Sequence, residues 1–350
     1  MKGLMYRGPG EIHFEDIPDA RLPGAEGAIV KATLCGICGT DLHPYHTDMG
    51  ANNYCMGHEA VGEVIEVGSE VRNFRVGDRV LIPASIGCGH CKPCREGHVY
   101  LCDTYANGRA YGQGDPTIPG CQAEAVAVSA ADNNLFHLPV EFTDEIGIML
   151  TDNIATAWYC ARRGRIEPGN TVAVIGLGSV GLQTVMAAFA MGAGTVFGLD
   201  LLEDRRKEAV AIGATDLGSE DVIAKLLDAT GGKGVNVVLD ASGGRVTTAL
   251  AIDLVKRGGR ISQIGVSEQF EIPFPILPAL FKNIEFYTGV CSVQAEVPHL
   301  MAAMTSGKLH IDHIGSIVTH RMGLSEGSEA YRLFDSRPNG LRKIVLDPTL

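Results

Sequence analysis

Long apolar stretches, basic runs and an apolar leader are all missing from this 350-residue chain. No uninterrupted hydrophobic run approaches the roughly 20 residues that cross a bilayer, so no membrane span is expected. The opening residues, MKGLMYRGPGEIHFEDIP, hold no apolar core of signal-peptide length, and the expected compartment is the cytoplasm. Lysine and arginine nowhere cluster and the formal net charge is −12. That balance excludes a nucleic-acid or anionic-membrane partner, both of which want a basic surface. The remaining composition, 45% hydrophobic and 20% charged, is that of an ordinary globular enzyme. The length suggests two domains, each able to fold around its own core.

In a reducing compartment the ten cysteines are metal ligands or buried thiols rather than disulfides. Cys88, Cys91, Cys94 and Cys102 stand in GCGHCKPCREGHVYLC as C-x2-C-x2-C-x7-C. Four thiolates so close in sequence can complete a tetrahedral shell around Zn²⁺ at about 2.3 Å each, with no vacant position. This reads as a structural site, with an iron–sulfur cluster as the other chemically sensible occupant. His90 and His98, inside the same lobe, read as bystanders.

A second cysteine region, CGICGTDLHPYHTDMGANNYCMGHE from Cys35 to Glu59, sets Cys38 twenty residues before His58, with Glu59 beside it and Thr40, Asp41 and His43 just after the cysteine. These side-chain types hold a zinc ion with one position open and move a proton from whatever binds there. A buried thiol and a satisfied core histidine are the competing reading.

Residues 1–35 read as short alternating strands broken by Gly and Pro, and AVGEVIEVGSEVRNFRVGDRVLIPA continues the pattern beyond Glu59. This predicts an antiparallel β domain. The segment DTYANGRAYGQGDPTIPGCQAEAVAVSAADNNLFHLP is poor in periodicity and reads as a specificity loop. In TDEIGIMLTDNIATAWYCARRG the apolar spacing becomes helical, with Thr143 as N-cap and Glu145 near the start. From TVAVIG onward Val/Ile runs alternate with helical segments, which predicts βαβ units and a parallel sheet covered on both faces. Residues 1–152 and 290–350 are expected to form the β domain and 153–289 the α/β domain, with the final strand in GLRKIVLDPTL returning to the first.

Gly176, Gly178 and Gly181 form G-x-G-x-x-G directly after the strand TVAVI and at the start of the helix SVGLQTVMAAFA. In that context the glycines give a tight turn and close approach to a pyrophosphate, and the helix N-terminus at Ser179 and Val180 presents free N–H groups. Asp200, at the end of the next strand, suits the ribose hydroxyls and repels a 2′-phosphate, so NAD is expected rather than NADP. Arg205 can reach the ribose or a phosphate.

Assembled, these pieces resemble the zinc-dependent medium-chain alcohol dehydrogenases over essentially the whole chain. The resemblance is carried by GICGTDLH (36–43), GHEAVGEVIEVGSEV (57–71), GDRV (77–80), the four-cysteine lobe and GLGSVG (176–181). It implies a GroES-like catalytic domain, a Rossmann domain, two zinc ions per chain and NAD. It further implies that Cys38 and His58 ligate the catalytic zinc, with Asp152 as third ligand as in the bacterial secondary-alcohol branch. Glu59 is implied as an exchangeable fourth ligand and Asp41 as the group that orients the histidine. Cys160 is the nearby substitute for Asp152.

The structural-zinc cysteines and the acid at position 200 depart from that branch and weaken its guidance on substrate. The implied cycle removes the alcohol proton through Thr40 and the cofactor ribose to His43, then passes hydride to the nicotinamide. Arg342 or Lys343 is implied as a cation on the pyrophosphate. Trp158, Tyr45, Tyr54, Met49 and Tyr105 are candidates for the pocket wall, or plain core. The expected substrate is a small or medium alcohol or its carbonyl product. Alternatives are a polyol or amino-alcohol dehydrogenase and a non-catalytic nucleotide-binding relative. The resemblance implies a homodimer or homotetramer, and the edge strand NIEFYTGV would expose its backbone unless paired with a second subunit.

Overall fold

Alternation of β-branched and polar residues produces eight strands before residue 140: β1 (Lys2–Gly8), β2 (Glu11–Asp16), β3 (Ala28–Gly36), β4 (Tyr54–Cys55), β5 (Ala60–Val67), β6 (Arg79–Ile82), β7 (Ala125–Val128) and β8 (Phe136–His137). The computed structural model describes residues 1–48, 50–105, 110–115, 118–267, 269 and 271–350. Six strands of the βαβ pattern follow, β9 (Thr171–Ile175), β10 (Thr195–Leu199), β11 (Thr215–Asp216), β12 (Val235–Asp240), β13 (Val255–Gln263) and β14 (Glu285–Thr288). The chain closes with β15 (Val318–Gly323) and β16 (Lys343–Asp347).

Two compact units result: Met1–Asp152 with Ser292–His299 and Ile311–Leu350, and Asn153–Cys291 with Leu300–His310. The segment Leu300–His310, which the sequence suggested for the β domain, groups with the second unit.

In the first unit β2, β1 and β4 form a small sheet, and β15-β16-β3-β5-β6-β8 a larger one that β7 joins through β3. Apart from the parallel pair β15–β16, the strand pairs are antiparallel. β16 pairs with β3, Leu346 opposite Cys35, so the chain end returns to this unit as its apolar pattern suggests. Leu4, Tyr6, Val30, Val64, Ile82, Tyr331 and Leu346 are among the side chains of its core. The segment read as an irregular loop contains both β7 and β8. The Ala/Val alternation of β7 buries Val126 and Val128, a four-residue signal hidden by its Gly-rich surroundings.

The second unit is a six-stranded parallel sheet in the order β11-β10-β9-β12-β13-β14, the doubly wound arrangement with a crossover beside β9. Four of the five residues of β9 are buried, as helices on both faces require.

The helical stretch after Phe142 is two helices. Thr143 caps the first, Asp144–Thr151, its Oγ1 accepting from the Ile146 N–H at 3.4 Å. The carbonyl of Thr151 accepts from Ala84 N–H at 2.9 Å. Asp152 breaks the helix with φ −153° and ψ −62°, and the second helix runs Asn153–Arg163. No helix among the described residues is long and apolar enough to cross a membrane.

Candidate functional site

The sulfur atoms of Cys88, Cys91, Cys94 and Cys102 lie within 4.8 Å of one another. The four-residue helix Lys92–Arg95 carries Cys94, and the short turn Val99–Leu101 delivers Cys102. Backbone N–H groups point at the sulfurs: Cys88 N–H to Cys102 Sγ at 3.2 Å, Cys91 N–H to Cys88 Sγ at 3.4 Å, and Thr104 N–H to Cys102 Sγ at 3.4 Å. Burial raises the Cys88 thiol, but the Thr104 side chain and the Cys91 and His90 N–H groups outweigh it and bring the pKa down to about 6. Burial and neighbouring thiols push Cys94 up to about 12. His90 turns away, its Nδ1 2.9 Å from the Cys88 carbonyl. Four soft donors at this spacing suit a tetrahedral Zn²⁺ with no open position.

The second cluster joins Cys38, His58, Glu59 and Asp152, whose donor atoms also lie within 4.8 Å of one another. Cys38 stands at the turn after β3, His58 and Glu59 immediately before β5, and Asp152 at the helix break. Cys38 Sγ is 3.4 Å from Asp152 Oδ2, and His58 Nε2 is 3.7 Å from the same oxygen. Behind the ring, His58 Nδ1 meets Asp41 Oδ1 at 3.2 Å, while Asp41 Oδ2 accepts from the Cys38 N–H at 2.9 Å. One carboxylate thus fixes both the cysteine turn and the face of the imidazole, leaving Nε2 toward the other donors.

Gln122, fully buried, supports that carboxylate at 3.5 Å and is tied to the Gly36 carbonyl and the Tyr331 hydroxyl. Its position just before β7 carries no motif, and sequence reasoning missed it. Burial and the Asp152 carboxylate raise the Cys38 thiol. Burial lowers His58, but Asp41, Asp152 and Cys38 together hold it well above the ordinary histidine value. A bound cation reverses both tendencies by favouring thiolate and neutral imidazole. A thiol, a carboxylate and an imidazole converging this closely fit a divalent metal.

Thr40 Oγ1 lies 3.6 Å from Cys38 Sγ, and His43 follows in the short helix Leu42–His46. Cys160 is not in the cluster; its thiol donates to the Ser262 carbonyl at 3.4 Å. Cys35 is fully buried and donates to the Cys121 carbonyl at 3.0 Å. Tyr45, Tyr54 and Tyr105 pack against the core of the first unit, and Trp158 is buried in the second. Met49 lies outside the described residues.

The C-terminal cations differ most from expectation. Lys343 is 1% exposed and Glu59 0%, and the ammonium grips both carboxylate oxygens, Oε1 at 2.7 Å and Oε2 closer still. Lys343 is therefore an internal group of the first unit, not a surface cation for a pyrophosphate. Burial lowers its pKa, and Glu59 together with Cys38 more than restores it, so it remains an ammonium. Arg342, next in line, is buried too, with Nη1 donating to the Leu341 carbonyl at 2.8 Å.

In the second unit Gly176 has φ +81°, and a Cβ on Gly181 would stand 1.8 Å from the Gly176 carbonyl oxygen. The turn is tight enough that both positions need glycine. The helix Ser179–Ala190 begins with no side chain capping its N-terminus, a fit for a dinucleotide's phosphates. Asp200 Oδ2 accepts from the Leu177 N–H at 2.8 Å, inside the turn itself, and Oδ1 from Leu202 N–H at 2.9 Å. Arg205 Nη1 stands 3.6 Å from Asp200 and would lie 3.9 Å from a Cβ on Gly178.

The chain is similar to known proteins in sequence and in fold. The sequence pattern described as "Alcohol dehydrogenase GroES-like domain" matches residues 24–140, and that described as "Zinc-binding dehydrogenase" matches residues 179–306. A probable zinc-binding alcohol dehydrogenase of Mycobacterium tuberculosis is 36% identical, covering 99% of this chain and 89% of the relative. The sorbitol dehydrogenase of Bacillus subtilis is 29% identical, covering 99% and 97%. Among solved structures, the alcohol dehydrogenase TADH from Thermus sp. ATN1 superposes with a TM-score of 0.92 at 32% identity, covering 99% of both chains.

Proposed function

The chain belongs to the zinc-binding alcohol dehydrogenase family, and on that premise we propose that it transfers a hydride between the carbinol carbon of a small or medium alcohol and NAD, giving an aldehyde or ketone. The observation that carries this reading is the convergence of Cys38, His58 and Asp152, with Asp41 behind the imidazole. A zinc ion held there supplies Lewis acidity toward the alcohol oxygen, and NAD supplies the hydride acceptor. Asp41 holds the His58 tautomer that keeps Nε2 available. Thr40, beside Cys38, takes the hydroxyl proton of the alcohol, and His43 on the following short helix passes it to solvent. Cys88, Cys91, Cys94 and Cys102 hold a second zinc that serves the fold.

The Gly176–Gly181 turn and the N–H groups of Ser179 and Val180 take the pyrophosphate, and Asp200 takes the ribose hydroxyls with Arg205 alongside. Asp200→Gly is expected to move the NAD-to-NADP preference roughly tenfold or more toward NADP; an unchanged ratio of kcat/KM values sinks the ribose assignment. β14 is an edge strand, and Ile276, Leu277, Leu280 and Phe281 on the helix just before it are each at least 60% exposed. We assign this surface to a homo-oligomer, dimer or tetramer; sedimentation as a monomer rejects it.

Metal analysis with a cofactor-coupled screen over alcohols, polyols and aldehydes tests the whole reading. The expected result is about two zinc per chain and turnover of simple alcohols with NAD. An active Cys38→Ala variant contradicts it. The likeness to a sorbitol dehydrogenase favours a polyol substrate as the second reading, and turnover of sorbitol with none of simple alcohols would replace the first.

A further inference from the structure

Asp152 joins Cys38 and His58 at the point where the helix before it breaks, and the break has a cause outside the helix. The Thr151 carbonyl, which a continuing helix would give to an N–H four residues on, accepts from Ala84 N–H at 2.9 Å instead. Ala84 belongs to the stretch 83–87, which follows β6, leads into the cysteine lobe and, one bridge at Ser85 apart, lies outside the strands. Side chains hold it instead. Gln294, near the start of the helix Val293–Thr305, grips Ser85 twice: its Oε1 accepts from the Ser85 hydroxyl at 2.5 Å and its Nε2 donates to the Ser85 carbonyl at 2.6 Å. The same Nε2 donates to Asn134 Oδ1 at 3.0 Å. Asn134 closes on Gly87, its Oδ1 accepting from the Gly87 N–H at 3.0 Å and its Nδ2 donating to the Gly87 carbonyl at 2.7 Å. The Val293 N–H adds a bond to the Ser85 hydroxyl at 3.1 Å.

Ser85, Asn134 and Gln294 are all buried, and all lie in the first unit. Buried amides that satisfy one another fix a single geometry, whereas one left without its partner is costly. Two such amides are committed here to a short loop whose Ala84 anchors the break at Asp152. We infer that Gln294, with Asn134 behind it, is a positioning residue for Asp152: it fixes the stretch 84–87 and, through the Ala84 N–H, the helix break that turns the carboxylate toward Cys38 and His58. This rests on the metal reading proposed above and adds what sets the direction of the third ligand.

The test uses the full chain loaded with Co²⁺ alone, whose visible ligand-field bands report the arrangement of its ligands. Subtracting the spectrum of Co²⁺-loaded Cys38→Ala, which keeps the lobe ion, isolates the second site. Cys38→Ala by itself gives the rate at which a chelator removes the lobe ion. Gln294→Met keeps the length of the side chain and loses its bonds to Ser85 and Asn134. It is expected to shift the isolated bands and to release the second-site ion about tenfold faster than the wild type, while release from the lobe, read in Gln294→Met/Cys38→Ala, stays unchanged. An unchanged second-site rate in folded Gln294→Met overturns the inference. Equal acceleration at both sites overturns it too, because the amide would then serve the stability of the unit rather than Asp152. Should Gln294→Met not fold, Ser85→Ala removes the hydroxyl that Gln294 and Val293 share and carries the same criteria. A wild-type chain that binds a single Co²⁺ overturns the metal reading itself, and the inference with it.

Discussion

In the lobe, four thiols converge within fifteen residues of chain and are faced by backbone N–H groups. At the second cluster the donors come from three separate places in the sequence, and a lysine 284 residues from its partner faces one of them. Four thiolates around a divalent ion leave two negative charges in excess, which the N–H donors spread. The second cluster closes its charge with Lys343 instead. Within the lobe, hydrogen-bond donors bring the Cys88 thiol down to about 6 while burial and neighbouring thiols push Cys94 up to about 12, so the lobe completes its thiolates only around an ion. Cys38, with burial and Asp152 both against it, depends on the ion for its charge. Similar donor spacing is therefore reached in one place by neighbouring thiols and in the other by side chains brought together from distant parts of the chain.

The contrast breaks most decisively at Cys38. Cys38→Ala is expected to lower kcat/KM by about three orders of magnitude, the several kcal/mol of a lost Lewis acid, while circular dichroism stays native and one zinc remains. Cys91→Ser inverts the pattern. It is expected to lose the lobe ion and lower the melting temperature by roughly 5–10 °C, with the second zinc still present by metal analysis. If both variants lose both ions, the two sites are not independent.

Asp41→Asn is expected to weaken metal binding at the second site by about 10- to 100-fold, read by competition with a chelator, and to leave the lobe ion in place. No change would mean that Asp41 acts only on the Cys38 turn. The smallest effect is expected from Thr143→Ala, which removes the cap of the helix ending at Asp152. It should cost about 1 kcal/mol in a denaturant titration. A drop in zinc content larger than that destabilisation would show that the helix's register, not only its stability, delivers Asp152.

Much of this was legible in the chain because it is local. The lobe announces itself in cysteine spacing, and the nucleotide turn in three glycines between a Val/Ile run and a helix, since each is held by a few consecutive residues. The strands β9, β10, β12 and β13 follow from apolar runs that only a sheet buried on both faces requires. β7 and β8 were hidden because short strands beside Gly-rich chain carry too little periodicity to separate from a loop. Asp152 was legible only through resemblance. Its apolar neighbours continue a helical pattern across it, and the break appears once Ala84 claims the Thr151 carbonyl.

Lys343 marks the limit. Near the chain end a lysine reads as a solvated cation or a cofactor contact, and no local pattern says otherwise. Sequence alone determined which residue types were available to bind metal and nucleotide, because ligand chemistry and tight turns are written in single residues and short spacings. Tertiary structure alone decided which of them face one another. The β16–β3 pairing brings the last strand back beside the Cys38 turn, and there a buried carboxylate at Glu59 had to find its charge partner inside the protein.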